Sequence, residues 1–148
     1  STYIRKCLEE GAVEEAARLL GRHYSLSGTV VHGKKIGRSI NFPTANILPK
    51  EGKLCPMEGV YHTRVLLGKD YYEGMTSIGK NPSVGENNPL TIETHILGFQ
   101  GDIYGEKLRL EFISFIREQR HFRDIEELKS QLEKDLAFVE EESKKRES

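Results

Sequence analysis

The stretch Leu90-Thr91-Ile92-Glu93-Thr94-His95-Ile96 sets the pattern for the whole chain. Leu90, Ile92 and Ile96 fall on alternate positions, the period of a strand with one face turned to a core. Lys107-Leu108-Arg109-Leu110-Glu111-Phe112 repeats the pattern, with Leu108, Leu110 and Phe112 as its apolar set. Tyr61-His62-Thr63-Arg64-Val65 alternates as well, and Tyr71 to Ile78 is a weaker strand of the same kind. Upstream, the β-branched run Thr29-Val30-Val31 leads into a glycine-bearing loop. Gly68-Lys69-Asp70 and the stretch from Gly101 to Gly105 read as turns. Short strands joined by glycine turns predict a mainly β chain, an antiparallel barrel or sandwich. A barrel has the further advantage that closure removes exposed edges.

Helical periodicity occupies the two ends. From Tyr3 to Leu20, Ile4, Leu8, Val13, Ala16, Ala17 and Leu20 form a partial stripe. Gly11 breaks it into two short helices and Gly21 stops it. Near the other end Ile125, Leu128, Leu132, Leu136 and Val139 fall on one stripe. Asp124 and Glu127 fit a capping box at its start. The tail from Glu140 to Ser148 loses the stripe and is expected to fray.

The bulk numbers bound the function. A length of 148 residues suits one compact domain with a short extra element, and a net charge of −1 argues against nucleic acid as the partner. The only cysteines, Cys7 and Cys55, have no metal-like spacing, which points to a reduced, cytoplasmic setting. No apolar run is long enough for a membrane span. The chain begins with Ser1 rather than Met and reads as a fragment of something longer.

Three features carry oxygen or phosphate chemistry. The loop Gly33-Lys34-Lys35-Ile36-Gly37-Arg38 combines glycines, whose amides can approach a phosphate, with cations; a lysine-bearing hairpin in solvent has the same composition. In Pro43-Thr44-Ala45-Asn46, Thr44 and Asn46 point the same way if the chain is extended, and their oxygens suit Mg²⁺ shared with nucleotide phosphates. The same residues after Pro also make an ordinary turn. Glu93 in mid-strand is either outward and solvated, or inward and able to act as a general base. His95 shares its face; the five histidines are otherwise scattered and form no metal cluster.

Taken together, these stretches resemble the riboflavin kinase family. Residues Gly33 to Asn46 are similar to its G-x-x-x-G-R-x-x-x-F-P-T-A-N signature. Ser77-Ile78-Gly79-Lys80-Asn81-Pro82-Ser83-Val84-Gly85 resembles S-I-G-x-N-P-T-F-G, and Thr91 to Leu97 resembles T-I-E-x-H-I-L. Ile116-Arg117-Glu118-Gln119-Arg120-His121-Phe122 resembles the family's strand end and turn before its final helix. The departures are Ser83-Val84 for Thr-Phe, and Gln119 where an acidic residue often stands.

The resemblance implies a six-stranded antiparallel Greek-key barrel with a C-terminal helix, and an activity: transfer of the ATP γ-phosphoryl group to riboflavin, giving FMN and ADP with Mg²⁺ as cofactor. It implies that Gly33, Lys34, Gly37 and Arg38 lie at the ATP phosphates. Thr44 would contact phosphate and, with Asn46, hold the metal; Glu93 would be the catalytic base, facing inward across the cavity from them. Asn81 and Arg117 would lie on the flavin side. Ser1-Thr2-Tyr3-Ile4-Arg5 resembles the end of the S-S-T-x-I-R motif of the FMN adenylyltransferase domain in bifunctional bacterial FAD synthetases. Residues 1–22 are therefore expected to be a helical remnant and linker of that partner domain, with 23–148 the kinase domain, and FAD formation is not expected of this piece. The competing readings are a small barrel that only binds a partner, and a barrel retained for docking with its kinase activity lost.

Overall fold

The computed structural model describes residues 2–32, 42–80 and 90–147, with residue 147 in its backbone alone. Two short helices open the chain, α1 (Thr2–Glu9) and α2 (Val13–Leu20). Gly21 ends α2 as the sequence predicts, left-handed at φ 77° with its N–H bonded to Ala17 O.

Six strands follow: β1 (Ser25–Val31), β2 (Ala45–Pro49), β3 (Gly59–Leu67), β4 (Asp70–Lys80), β5 (Leu90–Ile96) and β6 (Lys107–Arg117). They close into an antiparallel barrel in the order β1-β2-β5-β4-β3-β6. Pairing of β1 with β6 completes the ring, so each strand has two neighbours and no edge is left to template aggregation. Alternating strand residues fill the interior: Leu26, Val30, Ile47, Tyr61, Val65, Ile78, Ile92, Leu108, Leu110 and Phe112 form one buried cluster. Cys7, Leu8, Val13 and Ala16 of the two helices belong to the same cluster, so α1 and α2 are packed into the barrel's core. A chain of hydroxyls crosses this apolar interior, Thr63 to Thr76 at 2.8 Å and Thr76 to Thr94 at 3.0 Å, all fully buried. Each hydroxyl finds a partner only in the observed alignment of β3, β4 and β5, which makes the ladder a register device.

The last helix, α3 (Ile125–Glu147), lies on the outside of the wall. Asp124 caps it by accepting a 2.8 Å bond from Glu127 N–H. Its Val139 is buried with Val60 and Met75, and Phe42, Leu97, Ile116 and Leu132 surround them. Two sequence expectations change here. The stripe is not purely apolar: Asp135 is buried at 2% exposure, whereas Ile125 is 50% exposed. The tail does not fray at Glu140, because the helix continues to Glu147 and is fastened through Glu142. His62, fully buried, places Nδ1 2.6 Å from Glu142 Oε1 and Nε2 2.6 Å from Glu73 Oε1; Ser114 Oγ also donates to Glu142. Both ring nitrogens can donate at once only in the imidazolium form.

The hydrogen bond from His62 holds the Glu73 carboxyl below its ordinary value of 4.5, against the opposing effect of desolvation. A carboxyl depressed by folding contributes stability above its unfolded pKa, and that contribution is lost as pH falls through the folded value. Thermal melts should therefore show stability declining as pH drops below 4.5, with a shallower decline in Glu73→Gln. Parallel declines in the two proteins would remove Glu73 as a source of the acid sensitivity.

Candidate active site

Of the residues singled out for chemistry, Asn46 and Glu93 meet on the outer wall. In the register of β2, β5 and β4, Asn46 faces Glu93, and Glu93 faces Ser77. Directly opposed residues share a face with Cβ atoms about 4.5–5.5 Å apart. The adjacent row, Ile47–Ile92–Ile78, points the other way into the core. Alternation therefore sends Asn46, Glu93 and Ser77 outward, and all three are half-buried rather than fully solvated. Glu93 thus fits neither sequence alternative. It is not inside the barrel, because Ile92 and Thr94 on either side occupy the interior. It lies directly beside the Pro43–Asn46 stretch on the same outer wall, where the resemblance implied a position across a cavity from it.

The approach to β2 is fixed by stacking and a hydrogen bond. The Phe42 ring lies 4.1 Å from the His95 ring, centroid to centroid. His95 Nδ1 is 2.8 Å from Pro43 O; a carbonyl only accepts, so Nδ1 carries the proton. His95, two residues from Glu93 on the same face, thereby holds Pro43 and presents Thr44, whose side chain is exposed. Its role is to shape the wall, which the sequence did not indicate.

The turn after β6 borders the same wall. Arg117 donates to both carboxylate oxygens of Asp135, with Nη2 2.8 Å from Oδ2, and its Nη1 donates to Glu118 O. Gln131 adds a third donor to Asp135. Arg117, expected on the flavin side, thus commits its guanidinium to α3. Gln119 crosses to β4, donating from Nε2 to Ser77 Oγ at 2.6 Å and Ile78 O at 3.0 Å. Gln119 and Ser77 carried no chemical signal in the sequence beyond the family motifs containing them. Gly33, Lys34, Gly37, Arg38 and Asn81 lie outside the described residues.

The donor set narrows the chemistry. Among the described residues no group of three His, Cys, Asp or Glu side chains converges to hold a metal. Neither cysteine forms a disulfide, and burial pushes the Cys55 thiol up to about 11, so it is not a thiolate nucleophile near neutrality. What the wall offers is a carboxylate, a hydroxyl and an amide: oxygen groups suited to a proton on an alcohol and to a hard cation shared with phosphates.

A profile of the flavokinase (riboflavin kinase) family matches residues 20–142. The chain belongs to the riboflavin kinase family. Among proteins similar to it are the bifunctional riboflavin kinase/FMN adenylyltransferases of Listeria monocytogenes, 44% identical over 91% of this chain, and of Bacillus subtilis, 39% identical over 91%. The chain spans 43% of the length of each. A solved riboflavin kinase from Trypanosoma brucei shares the fold at a TM-score of 0.58 and 25% identity, with 82% of this chain and 80% of that one covered. A Streptococcus pneumoniae structure titled a macrolide-efflux protein aligns at a TM-score of 0.89 and 35% identity, over 95% of this chain and 46% of that one. Efflux is said of that protein alone; among the described residues here no helix is long and apolar enough to cross a membrane.

Proposed function

We propose that this riboflavin kinase module transfers the γ-phosphoryl group of ATP to the riboflavin 5′-hydroxyl, giving FMN and ADP, with Glu93 as the base. The observation that carries the reading is the direct pairing of Glu93 with Asn46 across β5 and β2. It brings a proton acceptor beside the residues that suit a nucleotide-bound cation. Thr44 Oγ1 and Asn46 Oδ1 are the groups that would hold Mg²⁺, which when bound supplies charge neutralisation to the phosphate oxygens. Their chemistry fits: both are hard oxygen donors, Thr44 exposed and Asn46 half-buried at the start of β2.

Glu93 accepts the hydroxyl proton as the alcohol oxygen attacks phosphorus, and the bond to the ADP oxygen breaks. Such a transfer relies on positioning and electrostatics more than on covalent chemistry. Gly33, Lys34, Gly37 and Arg38 belong on the phosphate side of this reading, and Asn81 on the flavin side. Arg117 contributes by holding the turn of residues 118–122 through Asp135. Residues 1–22 are the linker and remnant of an adenylyltransferase domain, 23–148 the kinase domain, and the intact protein a cytoplasmic bifunctional enzyme that also converts FMN to FAD.

Incubation with riboflavin, ATP and Mg²⁺ should yield FMN by chromatography; absence of FMN would leave a binding or docking module. Thr44→Ala and Asn46→Ala should each raise the Mg-ATP concentration needed for half-maximal rate by roughly tenfold or more, about 1.4 kcal/mol. An unchanged Mg²⁺ dependence would count against the metal assignment.

A further inference from the structure

We infer that the groove between α2 and the outer faces of β6 and β3 is a second binding site, one that takes a small polyanion of the oligophosphate class. It stands apart from the Asn46–Glu93 row. In the closed ring β6 and β5 are three strands apart in either direction, so the groove is on the opposite side of the barrel. Its volume of about 700 Å³ falls in the range of small-molecule sites, roughly 300–1,000 Å³.

Two buried donors carry the inference. Among the described residues the buried side-chain nitrogens and oxygens without a hydrogen-bond partner are His23 Nδ1 and Arg109 Nε, and both residues line this groove. Arg109 Nε–H can only donate. Arg146 Nη2 lies 3.5 Å from His23 Nε2; a guanidinium accepts nothing, so Nε2 accepts and the ring proton sits on Nδ1. Burial, and then the Arg146 charge, hold the His23 pKa below its ordinary value of 6.5, in keeping with a neutral ring. Both groups are therefore N–H donors, and what each lacks is an acceptor.

Charge points to the same ligand. Arg18, Arg22, Arg64 and Arg109 line the groove against Glu14 and Glu111. Glu111 is shared: Arg64 Nε donates to its Oε1 at 2.9 Å and Arg109 Nη2 to its Oε2 at 3.0 Å. Arg18 pairs with Glu15. With Arg146 and Glu15 included, five guanidinium groups stand against three carboxylates, an excess of two positive charges. A ligand with more than one negative charge balances it. The donors come from different elements, Arg18 on α2, His23 in the joint before β1 and Arg109 on β6. A tetrahedral phosphate presents oxygens in several directions at once and suits the guanidinium fork; a planar carboxylate does not reach donors so spread.

The test is a nitrogen-15 NMR titration of the protein with inorganic tripolyphosphate in Mg²⁺-free buffer. Saturable shifts are expected at the backbone amides of residues 21–25 and 109–111, and at the Arg109 Nε–H signal, assigned by its loss in Arg109→Lys. Shifts at Glu93 and Thr94 report the kinase wall separately. Arg18 and Arg22 are exposed, so the Arg18→Ala/Arg22→Ala double variant should keep the wild-type melting temperature and rate of FMN formation. Its Kd for tripolyphosphate, read from the groove signals, should rise roughly tenfold or more, the effect of losing charge-assisted hydrogen bonds. Should the double variant fail to fold, Arg22→Ala decides alone. Groove signals that do not saturate at millimolar tripolyphosphate, or a Kd unchanged in the folded variant, would overturn the site. Citrate binding the groove as tightly as tripolyphosphate would overturn the phosphate class.

Discussion

Glu93→Gln is expected to lower kcat for FMN formation by roughly two to four orders of magnitude, the usual contribution of a positioned general base. The amide keeps the size and planar shape of the carboxylate, so the Asn46–Glu93–Ser77 row can persist. It cannot accept the hydroxyl proton. Because the side chain is half-buried on the outer wall and contributes nothing to the Ile47–Ile92–Ile78 core, the melting temperature should stay close to wild type. The ATP concentration for half-maximal rate should change little, since Thr44 and the phosphate-side residues are untouched. Steady-state kinetics with a parallel thermal melt separate the outcomes. Turnover near wild type in the folded variant would remove Glu93 as the base.

Asp135→Ala should cost about 3–5 kcal/mol of folding stability, the range for removing one partner of a buried ion pair. Asp135 is 2% exposed and receives bonds from Arg117 and Gln131. Its loss leaves a guanidinium, itself only 17% exposed, without its counter-charge between β6 and α3. Denaturant unfolding gives the number directly. Asp135→Asn, which keeps one acceptor and no charge, should fall between wild type and Ala. A cost below about 1 kcal/mol for Ala would mean the pair behaves as a surface bridge. The same variant should raise the riboflavin KM, because the Arg117 anchor also sets the turn that carries Gln119 onto β4.

What the sequence made legible follows physical lines. Strands with an apolar alternation were readable from Leu90, Ile92 and Ile96, or from Leu108, Leu110 and Phe112, because one face of each meets the core. Strand β2 was not: Ala45 to Pro49 is short, ends in proline and has Leu48 62% exposed, so its pattern is indistinct from a turn. The attachment of α3 was hidden for another reason. It relies on His62, Asp135 and Glu142, and polar residues are by default assigned to solvent. For the site, the family motifs supplied the residues, but pairing of Asn46 with Glu93 is a property of barrel closure that no local pattern reveals. At Ser77 the half-buried outer face, neither interior nor bulk water, likewise follows from the turn before α3, which lays Gln119 against β4.

The two adjacent rows across β2, β5 and β4 have a consequence for how the enzyme can fail. Sliding β2 by a single residue against β5 would turn Ile47 out to water and, in the same step, part Asn46 from Glu93. With Glu93 as the proposed base, such a slip is expected to disturb the site and the core together. Heat inactivation of FMN synthesis and melting of the β-sheet signal should consequently follow one curve.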